Sequence, residues 1–147
     1  MKTIATVASL IVMHHLLAMT PASVMGTYGL ETQTATTSHS DGCWLETAPA
    51  FARSIRVQIR CTTATPGHHI GAVDARLRWS GSTVVYKTTK FGGDCRITIQ
   101  FTAARALVSQ RGNDSDCGFG AFVNVGGTYH RISRARPRFD LFPVERG

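Results

Sequence analysis

Three segments of this 147-residue chain alternate strictly between apolar and polar residues, and this pattern constrains the fold more than any other feature. The segments are 54–61, 73–79 and 95–101. In each of them apolar residues occupy every second position, and polar or charged residues fill the positions between. Successive side chains of a β-strand point to opposite faces, so a period of two predicts strands that bury one face and expose the other.

Turn-forming residues separate these segments from one another and from four weaker strand candidates. The weaker candidates are 83–88, 106–110, 119–125 and 128–133, and the Gly126-Gly127 pair between the last two is typical of a short hairpin. Many short strands at this spacing, without a segment that supports a long helix, predict an all-β domain. We expect either a small antiparallel β-barrel or a sandwich of about seven or eight strands.

The first residues have the order of a secretory signal peptide. Met1 and Lys2 precede an almost wholly apolar segment, 4–19, which ends in proline and small residues. This segment is shorter than the ~20 residues that cross a bilayer. We predict a signal peptide over 1–25, cleaved between Ala22 and Gly26, and a secreted or periplasmic product that does not span a membrane. A retained membrane anchor is the alternative.

The rest of the chain divides by composition into three parts. Residues 26–41 are rich in threonine, serine and glycine, which predicts a flexible lead-in. The β-domain is predicted at 42–140, and residues 141–147 are predicted to be a C-terminal tail. The mature chain is therefore expected to hold one domain.

The four cysteines are Cys43, Cys61, Cys95 and Cys117. An even number in an exported chain favours two disulfides, although four cysteines allow three pairings. We favour the pairing of sequence neighbours, Cys43 with Cys61 and Cys95 with Cys117. Each bond closes a loop of about 20 residues, which is worth roughly 3 kcal/mol in the chain-entropy model. Zinc binding is the alternative, but no Cys-x-x-Cys spacing supports it, so we predict neither a metal nor a cofactor.

Arginines on the polar faces of the strands are the best functional candidates. The chain has 16 Lys+Arg against 9 Asp+Glu. Five arginines lie opposite the apolar faces of the three alternating segments: Arg56, Arg60, Arg76, Arg78 and Arg96. If those strands are neighbours, the guanidiniums form one cationic field suited to phosphate or carboxylate. The predicted partner is an acidic protein or an anionic envelope polymer; the alternative is that the charge only keeps the domain in solution.

Catalytic chemistry has weaker support. His68 and His69 are candidates for a hydrolase or nuclease, and Asp74 is the nearest following carboxylate, but an ordinary loop histidine pair explains them as well. The chain has no Gly-x-Ser-x-Gly motif, and most acids of the domain sit beside turns. The arginine-rich segment 131–138 lacks the interleaved aromatics of a nucleic-acid platform. We therefore assign no catalytic residue and no specific nucleic-acid partner.

One pair of motifs resembles a known group of proteins. Cys117-Gly118-Phe119-Gly120, followed by Gly127-Thr128-Tyr129, resembles a family of small exported bacterial β-proteins over residues 43–139. These are broadly similar to the exported lysozyme-inhibitor proteins of bacteria. The resemblance implies a compact, disulfide-linked antiparallel barrel, and its motifs are structural rather than catalytic. Because lysozymes are usually cationic and this chain is basic, an acidic hydrolase would be the better target for such an inhibitor.

Overall fold

The computed structural model describes residues 18–31, 42–63 and 67–140. These residues form one antiparallel sheet of eight strands that curls into a nearly closed barrel. The strands are β1 (Gly26–Leu30), β2 (Gly42–Ala50), β3 (Ser54–Thr63), β4 (His69–Arg78), β5 (Thr83–Thr88), β6 (Cys95–Phe101), β7 (Arg105–Arg111) and β8 (Gly127–Ser133). Their order in the sheet is β4-β3-β2-β1-β8-β7-β6-β5. The prediction of an all-β antiparallel domain is confirmed, and the barrel is the form it takes.

The three alternating segments become β3, β4 and β6, and their apolar faces fill the barrel. Ile55 and Val57 of β3 and Ile97 of β6 are fully buried, as expected for an eight-stranded barrel whose interior is just wide enough for side chains. Tyr28 and Tyr129 are the largest fully buried side chains. The core therefore lies inside the barrel, and the polar positions of the same strands lie on its outer surface.

The predicted flexible lead-in at 26–41 is wrong for its first part, because Gly26–Leu30 forms β1 at the centre of the sheet. Val24, in a 3₁₀ turn at Ala22–Val24, is also buried. Its carbonyl accepts hydrogen bonds from the hydroxyls of Tyr28 (2.7 Å) and Thr47 (2.6 Å). The barrel thus begins before Gly42, and cleavage beyond Val24 would remove a core residue. Residues 32–41 of the predicted lead-in and residues 1–17 of the predicted signal peptide lie outside the described residues.

The segment 119–125 is not the predicted strand, and Gly126-Gly127 is not a hairpin turn. β7 and β8 pair directly, and residues 112–126 form a long loop between them. Val123 and Val125 are buried, and the amide of Phe122 donates to Asp114 Oδ2 (2.6 Å). The apolar residues that suggested a strand instead cover one end of the barrel. The predicted tail at 141–147 lies outside the described residues.

Both disulfides have the predicted pairing, Cys43–Cys61 and Cys95–Cys117. Cys43 and Cys61 stand opposite each other in the β2–β3 register. Cys117 lies in the loop after β7 and ties it to the first residue of β6. Two buried disulfides are compatible with an oxidising, extracellular location.

Two features of the barrel position the candidate site. The loops 51–53, 79–82 and 102–104 meet at one end of the barrel, which we call the tip end. β4 and β5 are the two edges of the sheet, and the line where they meet is the seam of the barrel. Among the described residues, no helix has the length and apolar character needed to cross a lipid bilayer.

Candidate functional site

The register of β3 and β4 brings three of the five predicted arginines together. Arg56 faces Arg76 directly, and Arg78 faces Ser54 at the tip end. Arg60 also lies on β3, opposite Ala72, but nearer the other end of the strand. Cross-strand neighbours on one face have Cβ atoms about 5 Å apart, so Arg56 and Arg76 are close enough to repel each other.

Arg96 does not belong to this group, so the condition for a single cationic field, that the three strands are neighbours, is not met. β6 lies between β5 and β7, and Arg96 faces Lys87 on one side and Arg111 on the other. These three exposed residues form a second group, the outer row, which begins at Lys87 beside the seam and continues away from it to Arg111. Alternation assigns a residue to the outer face, but the order of strands in the sheet decides which outer residues are neighbours.

Arg56 is neutralised by the protein itself. Its Nε donates to Asp74 Oδ1 (3.2 Å) and its NH2 to Asp74 Oδ2 (2.9 Å), which also accepts from Gln58 Nε2 (2.7 Å). The guanidinium carbon lies 4.4 Å from the centroid of the Phe139 ring. The hydrogen bond from Arg56, followed by that from Gln58, lowers the pKa of the Asp74 carboxyl. Arg56 therefore holds the C-terminal segment against the sheet rather than facing solvent as an unpaired charge.

Arg76 and Arg78 instead border a set of shallow clefts at the tip end. One cleft, of about 680 Å³, lies between Arg76 and the C-terminal segment with Arg136 and Arg138. The next, of about 490 Å³, lies between Arg76, Arg78 and the 51–53 loop. A third, of about 750 Å³, follows the seam from Arg53 and Arg78 to Lys87.

We call five arginines around these clefts the basic rim: Arg53, Arg76, Arg78, Arg136 and Arg138. Across residues 18–31, 42–63 and 67–140, none of the five has an ion-pair partner. A guanidinium without an ion pair keeps five N–H donors in a planar fork, whose geometry matches a carboxylate or a phosphate. The rim is therefore a site of concentrated positive charge with unused donors.

Phe51 sits at the centre of the rim and is 86% exposed. The two residues that follow it, Ala52 and Arg53, both have positive φ, at 57° and 56°. This region disfavours residues with a Cβ, at about 1 kcal/mol each. The turn is held by a hydrogen bond from Ser54 Oγ to the Phe51 carbonyl and by one from the Trp79 amide to the Arg53 carbonyl (2.9 Å). The result is a fixed turn that presents an aromatic ring and a guanidinium to solvent.

The histidines do not form the catalytic arrangement considered above. His68 precedes β4, and His69 is its first residue, packed near Gly120. Asp74 lies five residues further along the same strand, about 17 Å away. The residues that the structure describes contain no group of three or more His, Cys, Asp or Glu side chains able to hold a metal ion.

Sequence reasoning found Arg76 and Arg78 but missed three members of the rim. Arg136 and Arg138 lie in an irregular C-terminal segment, and their position beside β2 follows from packing rather than from any pattern. Arg53 lies in a hairpin loop whose conformation normally calls for glycine or asparagine, so no turn signal pointed to it. The exposed Phe51 carries no signal either, because an apolar residue beside a strand is usually part of the core.

Comparisons of the chain with protein-family models, with curated proteins and with solved structures find no match.

Proposed function

We propose that this protein is an exported, non-enzymatic binding module whose basic rim binds an anionic partner. The observation that carries the proposal is the set of five rim guanidiniums without an ion-pair partner among the described residues. Gathering like charges costs electrostatic free energy in the isolated protein, and an anionic partner removes that cost. Secreted acidic proteins, including a hydrolase that the module would inhibit, and envelope polyanions are the partners this chemistry suits.

The Arg56–Asp74 pair supports the choice of carboxylate as the recognised group. On the same outer face, a guanidinium already binds a carboxylate through two hydrogen bonds, at 2.9 and 3.2 Å. Arg76 is the cross-strand neighbour of Arg56 and has the same donors, but no carboxylate in the described part of the chain pairs with it. A carboxylate or sulfate presented at the rim would find equivalent geometry, with the added strength of charge-assisted hydrogen bonds.

The proposal is tested by reversing charge inside and outside the rim by the same amount. The rim variant is Arg76→Glu/Arg78→Glu, and the matched control is Arg96→Glu/Arg111→Glu in the outer row. Poly-glutamate is the probe, and its dissociation constant is measured by titration at about 50 and 200 mM salt, because such contacts weaken as salt rises. We expect the rim variant to lose at least about tenfold in affinity and the control less than threefold.

Equal losses in the two variants would contradict the proposal, since binding would then depend on net charge alone. Absence of binding by the parent protein at low salt would also overturn it. Circular dichroism and a count of free thiols serve as folding controls for each variant, because both disulfides should remain closed.

A further inference from the structure

The seam of the barrel leaves two strand edges without a partner. Within the described ranges, β4 and β5 are joined only by the bridge between Ser80 and Thr83, whose amides and carbonyls exchange hydrogen bonds of 3.0 and 2.9 Å. At the other end, the Gly120 amide donates to the Ile70 carbonyl (3.0 Å). Between these two closures the seam has no strand-to-strand pairing.

The two closures also show which backbone groups face the seam. In an antiparallel strand, the N–H and C=O of one residue point to the same side, and this side alternates along the strand. The carbonyl of Ile70 points away from β3, so the N–H and C=O groups of Ala72, Asp74 and Arg76 do so as well. The carbonyl of Ser82, just before β5, accepts a hydrogen bond from the Phe101 amide of β6 (2.8 Å), so the N–H and C=O groups of Val85 and Lys87 face the seam.

The β4 edge is therefore a template about five residues long, or about 17 Å. Exposed edges of this kind pair with an added strand unless charge or shape prevents it. Here the outward side chains along and beside the edge include Arg76, Arg78 and Lys87, which repel a basic strand and attract an acidic one.

Apolar groups near the edge distinguish a protein partner from a polymer. The seam cleft is lined by Trp79 and Val85 beside the charged residues, and Phe51 stands exposed in the neighbouring cleft, which shares Arg53 and Arg78 with it. An aromatic ring next to arginines is typical of the anchors of protein interfaces. A polysaccharide has neither the alternating N–H and C=O groups that the β4 edge would bond nor apolar side chains for Phe51 to contact.

We infer that the partner is an acidic segment of another protein, which binds in extended conformation as an added strand on the β4 edge, with acidic side chains at alternate positions beside Arg76 and Arg78. This inference rests on the proposed function, because the rim supplies the charge selection. The mode is β-strand addition, in which main-chain hydrogen bonds give affinity and the alternate side chains give specificity.

The geometry predicts which peptide amides matter. The side chain of Arg76 points outward, and its N–H and C=O groups point toward the seam. The residue of the added strand opposite Arg76 therefore exchanges hydrogen bonds with it, and its side chain lies on the same outer face. The acidic residues of the added strand therefore donate their own amides to β4, while the residues between them point their amides away. N-methylation should therefore lower the affinity when it blocks the amides of the acidic residues and should have little effect on the amides between them.

The probe is a capped seven-residue peptide that alternates glutamate and valine, measured by isothermal titration against the mature, oxidised protein. Two isomers carry N-methyl groups, one on two glutamates and the other on two valines, with the same charge and composition. We expect the glutamate-methylated isomer to lose at least about tenfold in affinity, and the valine-methylated isomer to stay within about threefold of the parent peptide.

Two protein variants separate this inference from the proposed function. Ala72→Pro removes one seam-facing amide without touching the β3 ladder or the charge, and proline is tolerated at such edge positions. Arg78→Glu changes the charge and leaves the edge intact. We expect both to weaken peptide binding, but only Arg78→Glu to weaken the binding of dextran sulfate, an anionic polymer that has no backbone amides to pair with the edge.

Several outcomes would overturn the inference while the proposed function stands. These are equal binding of the two methylated isomers, and binding of dextran sulfate without binding of the peptide. A concentration-dependent dimer in light scattering, abolished by Ala72→Pro, would assign the edge to a second copy of the chain instead. If Ala72→Pro does not fold, the two methylated peptides decide the question with the unaltered protein. Loss of all binding by the parent protein would overturn both proposals.

Discussion

Arg56 and Arg76 are direct neighbours on the adjacent strands β3 and β4, yet their surroundings differ. Arg56 is bound by Asp74, supported by Gln58 and stacked on Phe139; we call these four residues the paired patch. Arg76 belongs to the basic rim and has no ion pair in the described part of the chain. Identical residues on one face thus have different roles, and the carboxylate and the aromatic ring beside one of them make the difference.

The paired patch also holds part of the rim in place. The paired patch fixes the C-terminal segment against β2 and β3, and the same segment brings Arg136 and Arg138 beside Arg76. The rim therefore depends on the paired patch, because the contacts of the patch hold the unpaired guanidiniums of Arg136 and Arg138 in place. Three changes, taken from the largest expected effect to the smallest, test this division.

Truncating Phe139 of the paired patch and truncating Phe51 at the rim should affect stability differently. Phe139→Ala removes a half-buried ring and its contact with Arg56, so the free energy of unfolding should fall by about 1–2 kcal/mol in urea titrations. Phe51→Ala removes a solvent-exposed ring and should change the free energy of unfolding by less than about 0.5 kcal/mol. Phe51→Ala should, however, weaken binding of the alternating peptide. An equal loss of stability in both would contradict the separation of the two regions.

Asp74→Asn should convert Arg56 from a member of the paired patch into a member of the rim. It releases Arg56 from its carboxylate, so the free energy of unfolding should fall by about 0.5–1 kcal/mol, the upper range for an exposed pair. Affinity for poly-glutamate should rise about threefold because a sixth guanidinium becomes accessible. Since the pKa of Asp74 is lowered in the folded protein, its contribution is present above pH ~4 and is lost as pH falls below that value. The stability difference between parent and variant should therefore vanish in acid.

Glu46→Gln should have the smallest effect on the free energy of unfolding, and it should raise this free energy rather than lower it. Glu46 is buried under the C-terminal segment, it accepts a hydrogen bond from the Phe139 amide, and its Oε2 has no hydrogen-bond partner among the residues described. Burial, and then the charge of Asp140, raise the pKa of Glu46. The charged form therefore costs stability at neutral pH, and the cost disappears as pH falls through the raised pKa. The variant should be more stable by a few tenths of a kcal/mol at pH 7, with no difference near pH ~4. A less stable variant at pH 7 would show that the carboxylate is satisfied.

The sequence predicted well wherever a local pattern reflects burial. Strict alternation identified β3, β4 and β6 because one face of each strand packs inside the barrel and the other meets water. It missed β1, since Gly26–Leu30 is too short to show a period and is held by neighbours on both sides. It misread 119–125 as a strand because apolar residues that cover an end of the barrel look like the inner face of one.

For the candidate site, the sequence determined which arginines face outward and which cysteines face the core, because side-chain direction follows from the pleat of each strand. Tertiary structure decided the rest. The sheet order separated Arg96 from Arg76, the cross-strand register paired Arg56 with Asp74, and the packing of the C-terminal segment added Arg136 and Arg138 to the rim. These relations join residues far apart in the chain, and the electrostatic environment of a guanidinium depends on those neighbours in space, which no local pattern records.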